Sequence, residues 1–225
     1  MAGRATSRSD EEIQRDVLAE LAREPRVQPN EIGVAVQDGV VTLRGWVENY
    51  ARKWAAERAA QRVRPVRAVA NDLEVRLPSS AERDDPEIAA AVTRTLEWDA
   101  FVPASQVAVT VSNGWVVLRG EVEWEYQRRA AEQAVRRLAG VRGLTNGISV
   151  QPHEVPEPDE ISERIRSALV RSVETDAAGI ELRIEGDSVV LTGDVRSWLE
   201  REEAERVAWS APGVANVDNH ITVRR

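Results

Sequence analysis

Apolar residues recur at every fourth position in three separate stretches of this chain. The stretches are Ile13, Val17 and Leu21; Ile88, Val92 and Leu96; and Ile161, Ile165 and Leu169. A spacing of four keeps side chains near one face of an α-helix, so each stretch predicts an amphipathic helix. An aspartate lies just before each stretch, and we expect it to cap the helix or to interact favourably with the helix dipole. These aspartates are Asp10, Asp85 and Asp159.

A period of two follows each predicted helix and indicates a half-buried β-strand. The alternating segments are IGVAV, VAVTV and IELRI. Residue pairs that tolerate positive φ come next and predict tight hairpins. These pairs are Asp38-Gly39, Asn113-Gly114 and Gly186-Asp187. A second strand then runs to a glycine in each segment, at Gly45, Gly120 and Gly193.

Each segment continues with a predicted second helix, which carries a stripe of small residues, and with a last short strand. The helices are expected at roughly 50–64, 125–139 and 198–211, and the strands contain LEV, ISV and ITV. This order predicts an α+β protein made of three tandem αββαβ domains. Each domain is expected to be a three-stranded mixed sheet with two helices packed on one face.

The three segments are copies of one unit. When the glycines are aligned, the strings VVTLRGWV, WVVLRGEV and SVVLTGDV coincide, with spacings of 75 and 73 residues. Asparagines and glutamates recur in the same register, at Asn71, Asn146 and Asn219 and at Glu57, Glu132 and Glu205. We therefore predict domains at residues 10–78, 84–151 and 158–225, joined by short linkers, with residues 1–9 as a flexible N-terminal tail.

The recurring motifs resemble those of the BON domain, a family named for bacterial osmotically inducible and nodulation proteins. The first motif, V-x-L-x-G-x-V, is formed by Val41, Leu43, Gly45 and Val47, by Val116, Leu118, Gly120 and Val122, and by Val189, Leu191, Gly193 and Val195. The second is formed by Gly140, Val141, Leu144, Asn146, Ile148 and Val150 and by Gly213, Val214, Val217, Asn219, Ile221 and Val223. In the first copy Pro65 replaces the glycine before Val66, so the resemblance does not define that turn. The resemblance implies an αββαβ fold, no catalytic residues, and binding to phospholipid surfaces linked to envelope or osmotic stress.

Composition narrows the classes of function. The 225 residues carry a net charge of -8, which argues against nucleic-acid binding, because that requires a basic surface. The chain has no cysteine, which excludes disulfides and thiolate metal sites. No signal peptide is recognisable, and no apolar run approaches the ~20 residues of a membrane-spanning helix. The sequence therefore predicts a cytoplasmic protein or one peripheral to the inner membrane.

Catalytic signals are weak. His153 falls in a linker and His220 occurs in one copy only, and a single histidine without a positioned partner is not an acid–base site. The sequence shows neither a phosphate-binding loop nor metal-ligand spacing. We therefore expect a protein that is not an enzyme and that has no cofactor, no metal and no small-molecule substrate.

One helical face of the first copy combines a tryptophan with cations. Trp54 lies off the alanine stripe, at the position where the other copies carry Arg129 and Glu202. Such a face suits an anionic lipid headgroup layer or an acidic partner. In the alternative interpretation the face is solvated and Trp54 packs on a neighbouring domain. The candidate lipid- or partner-binding residues are Arg52, Lys53, Trp54, Arg58, Arg62, Arg129 and Arg137.

The other recurring or aromatic residues are expected to be structural. Gly45, Gly120 and Gly193 are predicted to mark a strand-end bend or a close approach of backbone rather than a ligand contact. The asparagines are expected at turns or strand starts, where they bond to the backbone rather than to a ligand. The remaining tryptophans are expected to pack in the cores or at their edges; they are Trp46, Trp98, Trp115, Trp124, Trp198 and Trp209.

Two functions follow from these patterns. The leading one is a non-catalytic, stress-associated module that docks on anionic membrane surfaces or envelope-associated partners. The alternative is a soluble protein-interaction or chaperone-like scaffold, which would use exposed sheet edges or grooves between domains and would not bind lipid directly.

Overall fold

The computed structural model describes residues 8–153, 156–172 and 179–224. Within these ranges the chain forms three consecutive units with the same order of helices and strands, which confirms the predicted α+β fold. Of the predicted N-terminal tail, residues 1–7 lie outside the described residues. Ser9 belongs to the first helix as its N-cap, and its hydroxyl accepts a hydrogen bond from the Glu12 N–H at 3.2 Å.

Each unit contains a helix, a hairpin, a second helix and a last strand. The first unit consists of α1 (Asp10–Arg23), β1 (Ile32–Gln37), β2 (Val40–Val47), α2 (Tyr50–Gln61) and β3 (Ala68–Val75). The second consists of α3 (Asp85–Trp98), β4 (Val107–Ser112), β5 (Trp115–Val122), α4 (Glu125–Arg136) and β6 (Gly143–Val150). The third consists of α5 (Pro158–Arg171), β7 (Ile180–Glu185), β8 (Ser188–Val195), α6 (Trp198–Trp209), β9 (Asn216–Asn219) and β10 (Thr222–Val223). The second helices begin where the sequence predicts and end two or three residues earlier.

The second strand of each unit lies at the centre of its sheet. It pairs antiparallel with the strand before it and parallel with the strand that follows the second helix. In the third unit the last strand has two parts, which are separated by His220 and Ile221. The His220 N–H still donates to the Leu191 carbonyl at 2.8 Å, so both parts stay on β8. The mixed sheet is therefore confirmed in every unit.

The predicted helical stripes form the cores. Ile88, Val92 and Leu96 are at most 1% exposed, and the equivalent residues of the other units are similarly buried. Each stripe packs with the second helix and with alternate residues of the central strand. The first domain has a core of its own, whereas the cores of the second and third domains are joined in one cluster.

The aspartates expected at the helix starts lie one position or more inside the helix. They are Asp10, Asp85 and Asp159. The N-cap of α3 is Asp84, and Asp85 instead accepts hydrogen bonds from the Asn113 and Gly114 N–H groups, both at 2.8 Å. The capping alternative is therefore wrong, whereas the position of all three aspartates in the first helical turn agrees with the alternative of an interaction with the helix dipole. The hairpin turn offers two backbone donors, and the carboxylate that follows the cap is within reach of both.

The recurring asparagine joins the last strand to the second helix. In the second unit, Asn146 Nδ2 donates to the Arg128 carbonyl at 3.0 Å and to the Glu132 carboxylate at 3.4 Å. Asn146 Oδ1 accepts a hydrogen bond from the Ile148 N–H at 3.3 Å. The equivalent asparagines of the other units make the same three contacts. The recurrence of asparagine together with glutamate thus has a structural cause.

Candidate functional site

The second helices of the three units face one another around a cavity of about 750 Å³, which we call the central cavity. Trp54, Arg129 and Glu202 occupy one equivalent position in the three copies, and all three line this cavity. The position therefore faces the junction between domains in each copy. The three side chains meet different neighbours there.

Trp54 lies between guanidinium groups of two domains. Arg58, one turn later on α2, is 5.5 Å from the centre of the Trp54 ring. Arg136, on α4 of the second domain, is 3.8 Å from it. Both distances are typical of cation–π interactions. The structure thus agrees with the interpretation in which Trp54 packs on a neighbouring domain, and a role for Trp54 in binding lipid stays a prediction.

Arginines of the first domain also reach carboxylates on α6 of the third domain. Arg58 forms an ion pair with Glu202, and Arg64 lies 3.7 Å from Glu200. Glu200 is only 2% exposed, so its charge is compensated inside the protein rather than by water. These contacts attach the first domain to the third through charged groups.

The second and third domains are joined by both apolar and charged contacts. Trp209 of α6 is 9% exposed, and the Arg128 guanidinium lies 5.2 Å from the centre of its ring. Glu125 is 6% exposed and pairs with Arg128 at 2.8 Å and with Arg129 at 2.9 Å. Burial raises the pKa of Glu125, although the two arginines oppose that shift. This interface is therefore less dependent on exposed charges than the attachment of the first domain.

The remaining candidate residues have different surroundings. Arg52 pairs with Glu48 at 2.8 Å, Lys53 donates to a carbonyl of β3 at 2.8 Å, and Arg62 pairs with a carboxylate of α1 at 2.7 Å. Arg137 is exposed and lines the central cavity. The face predicted around Trp54 is thus divided between contacts inside the first domain and the junction. Binding by these residues stays a prediction.

The second domain exposes five aromatic side chains, none of which the sequence reasoning selected for binding; they are Trp98, Phe101, Trp115, Trp124 and Tyr126. Trp98 is 86% exposed, Phe101 65% and Tyr126 54%. The Phe101 and Tyr126 rings meet edge to face with their centres 6.1 Å apart. The expectation that Trp98 packs in a core or at its edge is wrong, because it lies beyond the buried stripe of α3. We call the three most exposed of them, Trp98, Phe101 and Tyr126, the aromatic patch.

A signal for the aromatic patch was present in the repeat alignment. The first copy carries Arg23 and Arg26 where the second carries Trp98 and Phe101. A position that accepts arginine in one copy does not need an apolar side chain for folding. Aromatic residues at two such positions therefore indicate a role outside the core.

The fold and these surfaces define a tandem-repeat protein of small αββαβ domains. The chain belongs to the BON domain family, whose model matches residues 9–76, 84–152 and 158–225. The match covers each of the three units, including their recurring glycines and asparagines.

Proteins of known name or structure are also similar to this chain. Osmotically-inducible protein Y of Escherichia coli (strain K12) is 28% identical over 146 residues, which are 63% of this chain and 73% of that protein. Two structures of CdsD, a structural protein of the type III secretion system of Chlamydia trachomatis, cover 95% and 97% of this chain, and the match spans 92% and 100% of theirs. They are 14% identical to this chain, and TM-scores of 0.27 and 0.26 are too low to support any argument.

Within the described ranges, no helix has the length and apolar character needed to cross a bilayer.

Proposed function

We propose that this protein is a non-catalytic, stress-associated binding module that docks on anionic phospholipid surfaces through the aromatic patch of its second domain. The observation that carries the proposal is the exposure of Trp98, Phe101 and Tyr126 on one domain. Tryptophan and tyrosine favour the boundary between water and lipid, where the ring is buried and its polar edge stays hydrated.

One cation beside the aromatic patch is available to an anionic leaflet. Arg94 is exposed, lies one turn before Trp98, and has no ion-pair partner among the residues that the structure describes. A cation near an anionic leaflet contributes roughly 1 kcal/mol to binding. Residues 153–225 carry a net charge of -7 of the total of -8, so the third domain is the part that an anionic surface repels most.

The family and its relative support the rest of the proposal. The Escherichia coli relative is named for osmotic induction, which favours a role under osmotic stress. A non-catalytic role is supported by the two histidines, because the side chains of His153 and His220 are 80% and 60% exposed. Exposed histidines that occur in single copies are poorly positioned for acid–base catalysis.

Vesicle co-sedimentation tests the proposal. The full chain is mixed with vesicles of phosphatidylglycerol and phosphatidylcholine, or of phosphatidylcholine alone, at low and at high salt. We expect pelleting with the anionic vesicles at low salt and weaker pelleting at high salt, because salt screens the attraction. Trp98→Ser should weaken binding about tenfold or more, since a buried large apolar side chain contributes about 1.5–3 kcal/mol.

Val170→Ser is the matched control, because Val170 is 71% exposed on α5 of the third domain and lies outside the aromatic patch. We expect this variant to pellet like the unchanged protein. Absence of pelleting at low salt would eliminate lipid docking and favour the protein-interaction scaffold. An equal loss in Trp98→Ser and Val170→Ser would show that the patch is not the contact.

A further inference from the structure

The central cavity is basic although the chain as a whole is acidic. Seven arginines and four glutamates line it, whereas the net charge of the chain is -8. The arginines come from all three domains; Arg58, Arg136 and Arg206 are one from each. A volume of about 750 Å³ lies within the range of pockets that hold small organic ligands.

Arg136 lines the cavity, and its guanidinium N–H groups are available to a ligand. It is 9% exposed, and no residue of the described part of the chain accepts a hydrogen bond from its guanidinium. Its ion pair with Glu132 is long, at 4.0 Å, and one face of the group covers Trp54. The Arg136 nitrogens are not among the fully buried polar atoms that lack a partner, so they open onto the cavity, where the oxygen atoms of a ligand can accept hydrogen bonds from them.

Neighbouring cations repel one another around the same cavity. Burial lowers the pKa of Arg58, and the charges of Arg62 and Arg136 add to that shift. Burial also lowers the pKa of Arg136; Glu132 and Tyr50 oppose that shift, and Arg137 adds to it. A bound anion would stabilise such a cluster of like charges. Trp54 brings Arg58 and Arg136 to the same place, since both guanidinium groups lie on its ring.

We propose that the central cavity binds a small multivalent oxyanion of the phosphate class, held by Arg136 and Arg137 of the second domain and by Arg58 of the first. Guanidinium groups bind phosphate oxygens through pairs of N–H donors. The bound anion links two domains that have separate apolar cores, and it therefore also stabilises their association. Free phosphorylated compounds and lipid headgroups share this chemistry.

Calorimetric titration of the full chain with pyrophosphate, at constant ionic strength, tests the site. We expect saturable binding by the unchanged protein. Arg136→Gln should weaken it about tenfold or more, as expected for the loss of a charge-assisted hydrogen bond. Arg137→Gln should weaken it several-fold, and its exposed position makes an effect on folding unimportant. The melting temperature of each variant, measured without ligand, shows that it is folded.

Arg183→Gln is the control, because Arg183 lies on β7 with its side chain 77% exposed and is not part of the cavity lining. Absence of saturable binding, or an equal loss in Arg183→Gln and Arg137→Gln, would overturn the proposal. Anionic vesicles that compete with pyrophosphate would identify a lipid headgroup as the ligand, and vesicles without effect would identify a free phosphate compound. Trp98 is not in the lining, so failure of pyrophosphate binding and failure of vesicle docking are separate results.

Discussion

Gly120 lies so close to the Gln106 carbonyl oxygen that a Cβ at position 120 would be 2.0 Å from that oxygen. The φ of Gly120 is +148°, which L side chains rarely adopt. Gly45 and Gly193 stand in the same relation to the carbonyl before their own first strand, again at 2.0 Å. The glycine recurs because the backbones of the hairpin meet at this point without room for a side chain.

We expect Gly120→Ala to destabilise the second domain by about 2–4 kcal/mol, because the added methyl group forces the backbone apart at a strained φ. Chemical denaturation of the full chain measures the change. Gly33→Ala is the matched control, since a Cβ there would be 3.7 Å from its nearest neighbour, an ordinary contact. Indistinguishable unfolding curves for Gly120→Ala and the unchanged protein would contradict the close-approach explanation.

We expect Asn146→Ala to lower the free energy of unfolding by about 1–3 kcal/mol, because it leaves partly buried partners unsatisfied. Hydrogen exchange should also become faster at the Ile148 N–H, which loses its acceptor at 3.3 Å. Asn216→Ala is a suitable control, since Asn216 is exposed at the start of β9. Unchanged exchange at Ile148 would show that the asparagine does not hold the strand.

Glu24 should make the first domain sensitive to acid. A hydrogen bond from Arg26 at 2.7 Å lowers the pKa of Glu24 to about 2, from an ordinary 4.5. Because the folded-state pKa lies below the unfolded-state value, ionised Glu24 stabilises the fold at neutral pH. That contribution is lost as the pH falls from 4.5 towards about 2.

We therefore expect Glu24→Gln to lower stability by about 1–2 kcal/mol at neutral pH and by progressively less in acid. Denaturation curves of this variant and of the unchanged protein are recorded from neutral pH down to the pKa of Glu24. The two free energies of unfolding should approach each other as the pH falls. Glu97→Gln, an exposed change near the end of α3, should leave stability almost unchanged throughout. If Glu24→Gln lowers the free energy of unfolding by the same amount at every pH, the lowered pKa of Glu24 is not the cause.

The ion pair between Arg58 and Glu202 should control how the first domain sits on the third. Arg58→Glu and Glu202→Arg each place like charges together, so each alone should loosen the first domain. The double variant should restore the contact, with a coupling energy of about 0.5–3 kcal/mol. Small-angle scattering measures the expected expansion of the single variants and its reversal. Expansion that persists in the double variant would argue against a direct contact.

The repeated fold was predictable because its determinants are local. A period of four, a period of two and turn pairs such as Asn113-Gly114 depend only on residues close together in the chain. The recurring glycine near the end of each second strand is also determined locally, because the backbone that it approaches belongs to the same hairpin. The role of Asp85 was missed because its partners, the Asn113 and Gly114 N–H groups, are 28 and 29 residues further along the chain.

Trp54 and Trp98 show where local pattern stops being informative. Both lie off a buried helical stripe, and periodicity reveals only that each side chain points away from its own core. Trp54 meets Arg136 of the second domain, whereas Trp98 is left 86% exposed. The amino-acid order thus specifies three cores and their outward faces. Which outward face becomes a junction and which stays in water depends on how whole domains pack, because that packing joins side chains that are distant in the chain.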